Sequence, residues 1–136
     1  MKRFPTGVVR LVVPDNPSDW SQENVLPLDS LGDLYETLGA SSWDFLEWQS
    51  RYGMASLGRN PEGQFLIPRF PIFSKVAWMH IDPVLLSTTE VDDLTQECER
   101  ATTLAETMTT RESFQSICAI AERARRLGAL IEFGHA

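Results

Sequence analysis

The carboxylates of this sequence are the groups best placed to do chemistry, and they are concentrated between residues 87 and 112. That segment carries seven acidic and two basic side chains, a net charge of −5 out of −7 for the whole chain. Asp92, Glu99 and Glu106 recur every seven residues, a spacing that places them on one face of a helix. Such a face could bind a basic protein, because complementary charge raises association rates and selects partners. The competing explanation is a solvated face, which is what most charge runs are.

Two further acidic residues, Asp93 and Glu97, flank the apolar side of the same predicted helix. Like charges four residues apart cost a helix about 0.2–0.5 kcal/mol, so local stability does not explain them. We therefore predict that Asp93 and Glu97 join the seven-residue row in a partner-binding surface. The basic segment 123–126 should lie beside the acidic start of this helix and pair with part of the acid, whereas the row points away and should stay unpaired.

Aromatic side chains form a second cluster, at Trp43, Phe45, Trp48 and Tyr52. The intervals of three and four residues between Phe45, Trp48 and Tyr52 predict a stripe along one helix. A stripe of this kind commonly packs into a core, but exposed aromatic residues are also frequent anchors of interfaces. We expect core packing, and we place Trp43 and Trp48 at the edge of the candidate partner surface.

His80 and Asp82 are the one pair that could act as an acid and a base, because a carboxylate can orient imidazole and raise its pKa. With Trp78 nearby, they suggest an alternative function in small-molecule binding or weak catalysis, although a single histidine at this kind of position is more often structural. No Cys/His spacing resembles a zinc site and no glycine-rich loop resembles a phosphate cradle. We predict no catalytic residue, cofactor or metal.

Composition and charge limit the classes of protein to which this chain can belong. The two cysteines, Cys98 and Cys118, are too few for a disulfide framework, and we expect reduced thiols. The first fifteen residues are interrupted by Arg10 and closed by Pro14, so we expect no signal peptide and a cytoplasmic protein. No apolar run approaches the ~20 residues of a membrane span. The net charge of −7 and pI near 4.7 oppose binding to nucleic acid or anionic lipid.

The first part of the chain, residues 1–86, shows mixed strand and helix signals. A short helix should run from a cap at Ser30 to Gly39, and a second from Ser41 or Ser42 to Gly53. The tetrad 60–63, Asn-Pro-Glu-Gly, predicts the turn of a hairpin. The four predicted strands are those at residues 8–13, 54–58, 64–67 and 75–81.

The pattern of residues 87–136 predicts a helical hairpin. Ser87 with Glu90, and Thr109 with Glu112, match the capping-box pattern that begins a helix. The apolar positions of the first helix, from Val91 to Met108, form one seam. We expect the second helix to continue past Gly128 toward residue 134, although the last residues could instead form a strand. The predicted fold is a single α+β domain over residues 1–136, with a small, mostly antiparallel sheet, two short inserted helices and a C-terminal antiparallel helical hairpin.

Size, acidity and the lack of recognisable chemistry favour a small protein-interaction module. We expect an inhibitor or immunity protein, antitoxin-like in character, that neutralises a basic partner protein. The alternatives are the small-molecule or weakly catalytic site near His80 and a self-associating structural subunit, in which exposed apolar positions form homo-oligomer contacts.

Overall fold

A computed structural model of the protein describes residues 7–13, 24–28, 31–40, 42–52, 59–80 and 83–135. The side chains of Trp43, Phe45, Trp78 and His80 lie outside this description.

Within the described residues the sheet has four antiparallel strands in the order β2-β1-β4-β3. They are β1 (Gly7–Val12), β2 (Val25–Leu28), β3 (Val84–Leu86) and β4 (Leu130–His135). Along β1 every second residue is buried, as expected when one face of a strand covers a core. This strand confirms the prediction at residues 8–13. The central pair is β1 and β4, in which Val9 lies opposite Phe133.

The helices with described bounds pack with this sheet. They are α1 (Leu31–Thr37), α2 (Ser42–Tyr52), α3 (Pro71–Val76), the 3-10 helix Ala77–His80, α4 (Thr88–Leu104) and α5 (Met108–Leu127). The two short inserted helices are confirmed as α1 and α2. The C-terminal hairpin is confirmed as α4 and α5, which pack against each other and against the sheet. The predicted α+β architecture is therefore correct.

The ends of the hairpin helices confirm one capping prediction and correct another. Ser87 accepts a hydrogen bond from the amide of Glu90 while the Glu90 carboxylate accepts one from the amide of Ser87, so the predicted capping box at α4 is present. The box predicted at residues 109–112 is wrong, because α5 is capped two residues earlier by Thr107, which accepts from the amide of Thr110.

One cluster of buried residues joins the sheet to the helices. Its fully buried members include Val9, Leu11, Leu94, Phe114, Ile131 and Phe133. On α4 the predicted seam is confirmed from Val91 to Ala101, and Ala105 at the C-cap continues it, with these apolar residues at most 5% exposed. Met108 does not belong to it, since α4 ends at Leu104 and the Met108 side chain is 69% exposed.

The predicted strand at residues 75–81 is wrong. Helix α3 and the 3-10 helix occupy these positions up to His80. The buried apolar residues Ile72, Phe73, Val76 and Ala77 repeat at helical intervals, and Pro71 stands at the first helical position, where its missing amide costs nothing. The alternation of apolar and polar residues from residue 75 onward belongs to the second half of this helical pattern.

The predicted hairpin around residues 60–63 is confirmed at its turn only. Gly63 has a φ of +83°, and its amide donates to the carbonyl oxygen of Asn60. One isolated antiparallel bridge joins Arg59 to Phe65, so residues 64–67 do not form the predicted strand. The strand predicted at residues 54–58 falls outside the described residues.

The predicted continuation of the last helix toward residue 134 is also wrong. Gly128 adopts a left-handed conformation with a φ of +62° and ends α5. The chain then enters β4, in which Ile131 and Phe133 face the core together and pair with β1 on one side and β3 on the other. The C-terminal segment is therefore central to the sheet.

Candidate functional site

The acidic residues of α4 have different environments. Asp92, Asp93 and Glu99 are exposed on α4, and Glu106 is exposed in the turn between α4 and α5. Because Glu106 follows the end of the helix, the seven-residue spacing does not set its position. Helical geometry therefore aligns Asp92 with Glu99 only.

Glu97 is the exception, since it is only 3% exposed. Both of its carboxylate oxygens face the beginning of α3: Oε1 accepts from the amides of Ile72 and Phe73, each at 3.1 Å, and Oε2 accepts from Ile72 at 2.9 Å. The structure thus places Glu97, a predicted partner-binding residue, inside the fold and not on the exposed acidic surface. It satisfies two backbone amides that a helix start leaves without internal partners.

Burial dominates the electrostatics of Glu97 and raises its pKa to about 7. The amides of Ile72 and Phe73 and the guanidinium of Arg100 oppose this effect, while the neighbouring carboxylate of Asp93 adds to it. The side chain is therefore sensitive to pH in the neutral range.

Asp92 is paired within the chain, contrary to the expectation that the whole row stays unpaired. Its Oδ1 lies 2.9 Å from Nε of Arg125, whose guanidinium also reaches Glu122 at 3.4 Å. The basic end of α5 does lie beside the acidic start of α4, as predicted. Both partners of the Asp92–Arg125 pair are about half exposed, so its contribution to stability is small.

A groove of about 410 Å³ opens where the hairpin turn meets α1. It is lined by Asp33, Glu36, Thr37, Leu104, Glu106, Thr107 and Thr110. Among these lining residues three are acidic and none is basic, although Asp33 and Glu36 also take part in polar interactions within the chain. We call it the hairpin-turn groove.

Exposed apolar side chains accompany the hairpin-turn groove. Leu104 in its lining is 44% exposed, and Met108, next to the lining residue Thr107, is 69% exposed. Arg111, the residue after the lining residue Thr110, donates to the carbonyl oxygen of Ala105 at 3.3 Å. The groove therefore combines negative charge with apolar contact area.

Sequence reasoning missed Asp33 and Glu36 as candidates. They lie three residues apart on a seven-residue helix, and nothing local indicates that α1 meets the hairpin turn. The sequence signal that could have identified them is their position on the short helix, on the side away from Leu34 and Leu38, both of which are buried.

The aromatic helix α2 packs partly into the core, as expected. Trp48 is half-buried against the core cluster and makes an edge-to-face contact with Tyr52, with ring centroids 4.8 Å apart. Trp43, the other aromatic candidate, has a side chain outside the described part. The contribution of Trp43 and Trp48 to partner binding stays a prediction.

The alternative site near His80 falls largely outside the description. Asp82 and the side chains of His80 and Trp78 are not described, and the backbone at Trp78 and His80 is 3-10 helix rather than strand. The acid/base pair therefore remains an untested prediction.

Both cysteines are free thiols, as expected. Cys98 is buried and Cys118 is half-buried. Burial raises the pKa of both, which disfavours the reactive thiolate.

Within the described ranges, no group of three or more His, Cys, Asp or Glu side chains is arranged to hold a metal ion. None of the helices in those ranges is long and apolar enough to cross a membrane. Comparison of the chain with protein-family models, with curated proteins and with solved structures finds no significant match, so no relative assigns a role to the hairpin-turn groove.

Proposed function

We propose that this chain is a protein-interaction module that binds a basic partner protein at the hairpin-turn groove, in the manner of an inhibitor or immunity protein. The observation that carries the proposal is the combination of three groove carboxylates from two separate elements with exposed Leu104 and Met108. Negative charge steers and selects a basic partner, and desolvated apolar contacts supply most of the binding energy.

The same charge argues against a second copy of the chain as the occupant. Two copies meeting at this groove would bring like charges together, which costs several kcal/mol unless they are compensated. A lysine- or arginine-rich segment with apolar neighbours meets the groove without that cost. Self-association therefore explains the exposed Met108 less well than a basic partner does.

The test is a charge reversal with a matched control. Glu106→Lys changes the groove, whereas Glu62→Lys makes the same change of charge at another exposed turn residue. Each variant shifts the net charge from −7 to −5. Circular dichroism first confirms that both variants fold. Wild type and both variants are then used as bait in pull-downs from lysate of the source organism at low and at high salt.

We expect a basic protein to be captured by wild type and by Glu62→Lys, with capture by Glu106→Lys reduced about tenfold or more at low salt. Equal capture by all three baits would contradict the assignment of the groove. Capture of no basic protein by wild type would contradict the proposed class of partner. Light-scattering mass in solution shows whether the chain pairs with itself instead.

A further inference from the structure

Helix α2 places one acidic and two aromatic side chains on the same face. Asp44, Trp48 and Tyr52 are spaced four residues apart on this helix, and that spacing puts them in one row. They line a pocket of about 330 Å³, which is also lined by Gly39, Glu47, Arg51 and Leu66. We call it the α2 pocket. Sites that hold small ligands begin at a volume of about 300 Å³, so the α2 pocket can hold a group of that size.

The two aromatic rings form a corner rather than a flat stack. The centroids of Trp48 and Tyr52 are 4.8 Å apart and the ring planes meet at 64°. Both side chains are half-buried and line the α2 pocket, so part of each ring meets its interior. The face of an aromatic ring is electrostatically negative and attracts cations. The corner therefore offers a cation an aromatic wall.

The chain already stacks one of its own arginines on an aromatic ring. Arg100 lies over the Phe70 ring, 5.4 Å from its centroid, and donates at 2.9 Å to the carbonyl oxygen of Arg69. A guanidinium thus combines ring stacking with a hydrogen bond in this fold. Among the described residues, no cation lies over Trp48 or Tyr52 in the same way.

The charge of the α2 pocket is negative. Asp44 and Glu47 contribute two carboxylates and Arg51 contributes one guanidinium, which leaves a net charge of −1. Arg51 lies 2.9 Å from Glu47, and both side chains are about two-thirds exposed, so this ion pair is weak. Asp44 also takes part in a polar interaction within the chain. A cation from a partner can replace Arg51 at Glu47 without leaving a buried charge unpaired.

We propose that the α2 pocket binds the guanidinium group of an arginine side chain that the basic partner supplies. The guanidinium stacks on the corner formed by Trp48 and Tyr52, and its N–H groups donate to the carboxylate of Asp44 or Glu47. A guanidinium is planar, always charged and weakly hydrated, so one cation uses both the ring faces and the carboxylates. The ammonium of lysine is compact and strongly hydrated, which suits it less to an aromatic wall.

The α2 pocket adjoins the hairpin-turn groove. Thr37 lines the groove and Gly39 lines the pocket, and two residues of chain span at most about 7 Å. A segment bound at the groove can therefore present an arginine to the pocket. That the arginine comes from the basic partner rests on the proposed function, whereas recognition of a guanidinium by the pocket does not.

Nuclear magnetic resonance of the ¹⁵N-labelled chain tests the pocket with defined probes. The indole N–H resonance of Trp48, assigned with Trp48→Phe, is followed while N-acetyl-arginine amide, N-acetyl-lysine amide or tetramethylammonium is added at constant ionic strength. We expect a saturable shift with the arginine probe, with a Kd in the millimolar range, and binding of the lysine probe that is about threefold or more weaker. An equal response to tetramethylammonium would overturn the assignment to a guanidinium. The absence of a saturable shift with the arginine probe would overturn the pocket itself.

Matched variants locate the site by a gain of binding. Arg51→Gln removes the guanidinium that competes at Glu47 and should tighten binding of the arginine probe about two- to fivefold. Arg126→Gln removes the same charge from an exposed position of α5 and should leave the binding unchanged. Dispersion of the backbone amide resonances shows that each variant folds. Equal effects of the two substitutions would overturn the α2 pocket as the site.

The same probes distinguish the α2 pocket from the hairpin-turn groove. If a basic protein is captured through Glu106 but the arginine probe does not bind, the pocket is overturned and the groove stands. If the probe binds but no basic protein is captured, the basic partner is overturned as the source of the arginine, while recognition of a guanidinium by the pocket stands.

Discussion

Phe133→Ala is the most direct test of β4, the strand that the sequence offered only as the alternative to a longer helix. Phe133 is 1% exposed at the centre of the sheet, opposite Val9 on β1 and Val84 on β3. Truncation of a buried phenylalanine costs about 3–5 kcal/mol, from lost burial and from the cavity left behind. A chain of 136 residues has a free energy of unfolding of roughly 7–20 kcal/mol, so the variant should remain folded over most of that range.

The expected loss corresponds to a fall in Tm of about 10–17 °C, since the unfolding entropy of a chain of this length is roughly 0.29 kcal/mol/K. The control is Leu85→Ala, which also shortens an apolar side chain in the sheet but at a 49% exposed position of β3. Its cost should stay under about 1 kcal/mol. Thermal and urea unfolding followed by circular dichroism measure both variants. Equal losses in the two variants would refute the central position of β4.

Two other predictions concern local contacts. Gly128→Ala should lower the free energy of unfolding by about 1–2 kcal/mol in a urea titration, because alanine is disfavoured at a φ of +62° although its Cβ would meet no atom within 4 Å; an unchanged midpoint would contradict the assigned end of α5. Partial burial alone would raise the pKa of Glu90, but the hydrogen bonds and charge of Lys75 and the hydrogen bonds of Ser87 hold it below its usual value. The stability that Glu90 contributes is thus complete above pH 4.5 and lost as the pH falls below that. Lys75→Met should flatten this acid-side loss between pH 6 and 3, and an unaltered slope would contradict the role of Lys75.

Helix α4 shows which features the sequence does indicate. Its capping box is local, because Ser87 and Glu90 satisfy each other's amides across three residues. Its apolar seam is also local, since a spacing of three and four residues defines one side of a helix whatever it packs against. Predictions that rest on such short-range geometry were correct at β1 and at α4 apart from Met108, whereas the capping box at residues 109–112 was placed two residues too late.

The strands at the C-terminal side of the fold depend on distant partners. Residues 130–135 carry enough apolar character for either a helix or a strand, and pairing with β1, more than 100 residues earlier, decides between them. The three residues of β3 are too few to show an alternating pattern. The strand prediction at residues 75–81 was wrong for a different reason. It began at residue 75, and this separated Val76 and Ala77 from Ile72 and Phe73, with which they share a helical face.

The sequence predicted the negative charge of the candidate site but not which residues form it. Glu97 and Glu99 are the same residue type two positions apart on one helix, yet one is buried and the other exposed. The difference is made by the amides of Ile72 and Phe73, whose position no pattern within α4 reveals. Asp33 and Glu36 were missed for the same reason, since α1 meets the hairpin turn only in the folded chain.

Several acidic residues of α4 make contacts within the fold, and this decides where an interface can be tested. Glu90 and Glu97 hold α3 in place, and Asp92 pairs with Arg125, so charge reversal at these positions would change the fold's own contacts together with any surface property. Loss of binding after such a reversal would not distinguish a damaged fold from a damaged interface. Glu106 is exposed, lies beyond the end of α4 and lines the groove, so reversal there changes the surface charge with little effect on helix packing. A partner that requires negative charge should respond to Glu106→Lys, whereas one that responds only to Glu97 would be sensing the docking of α3.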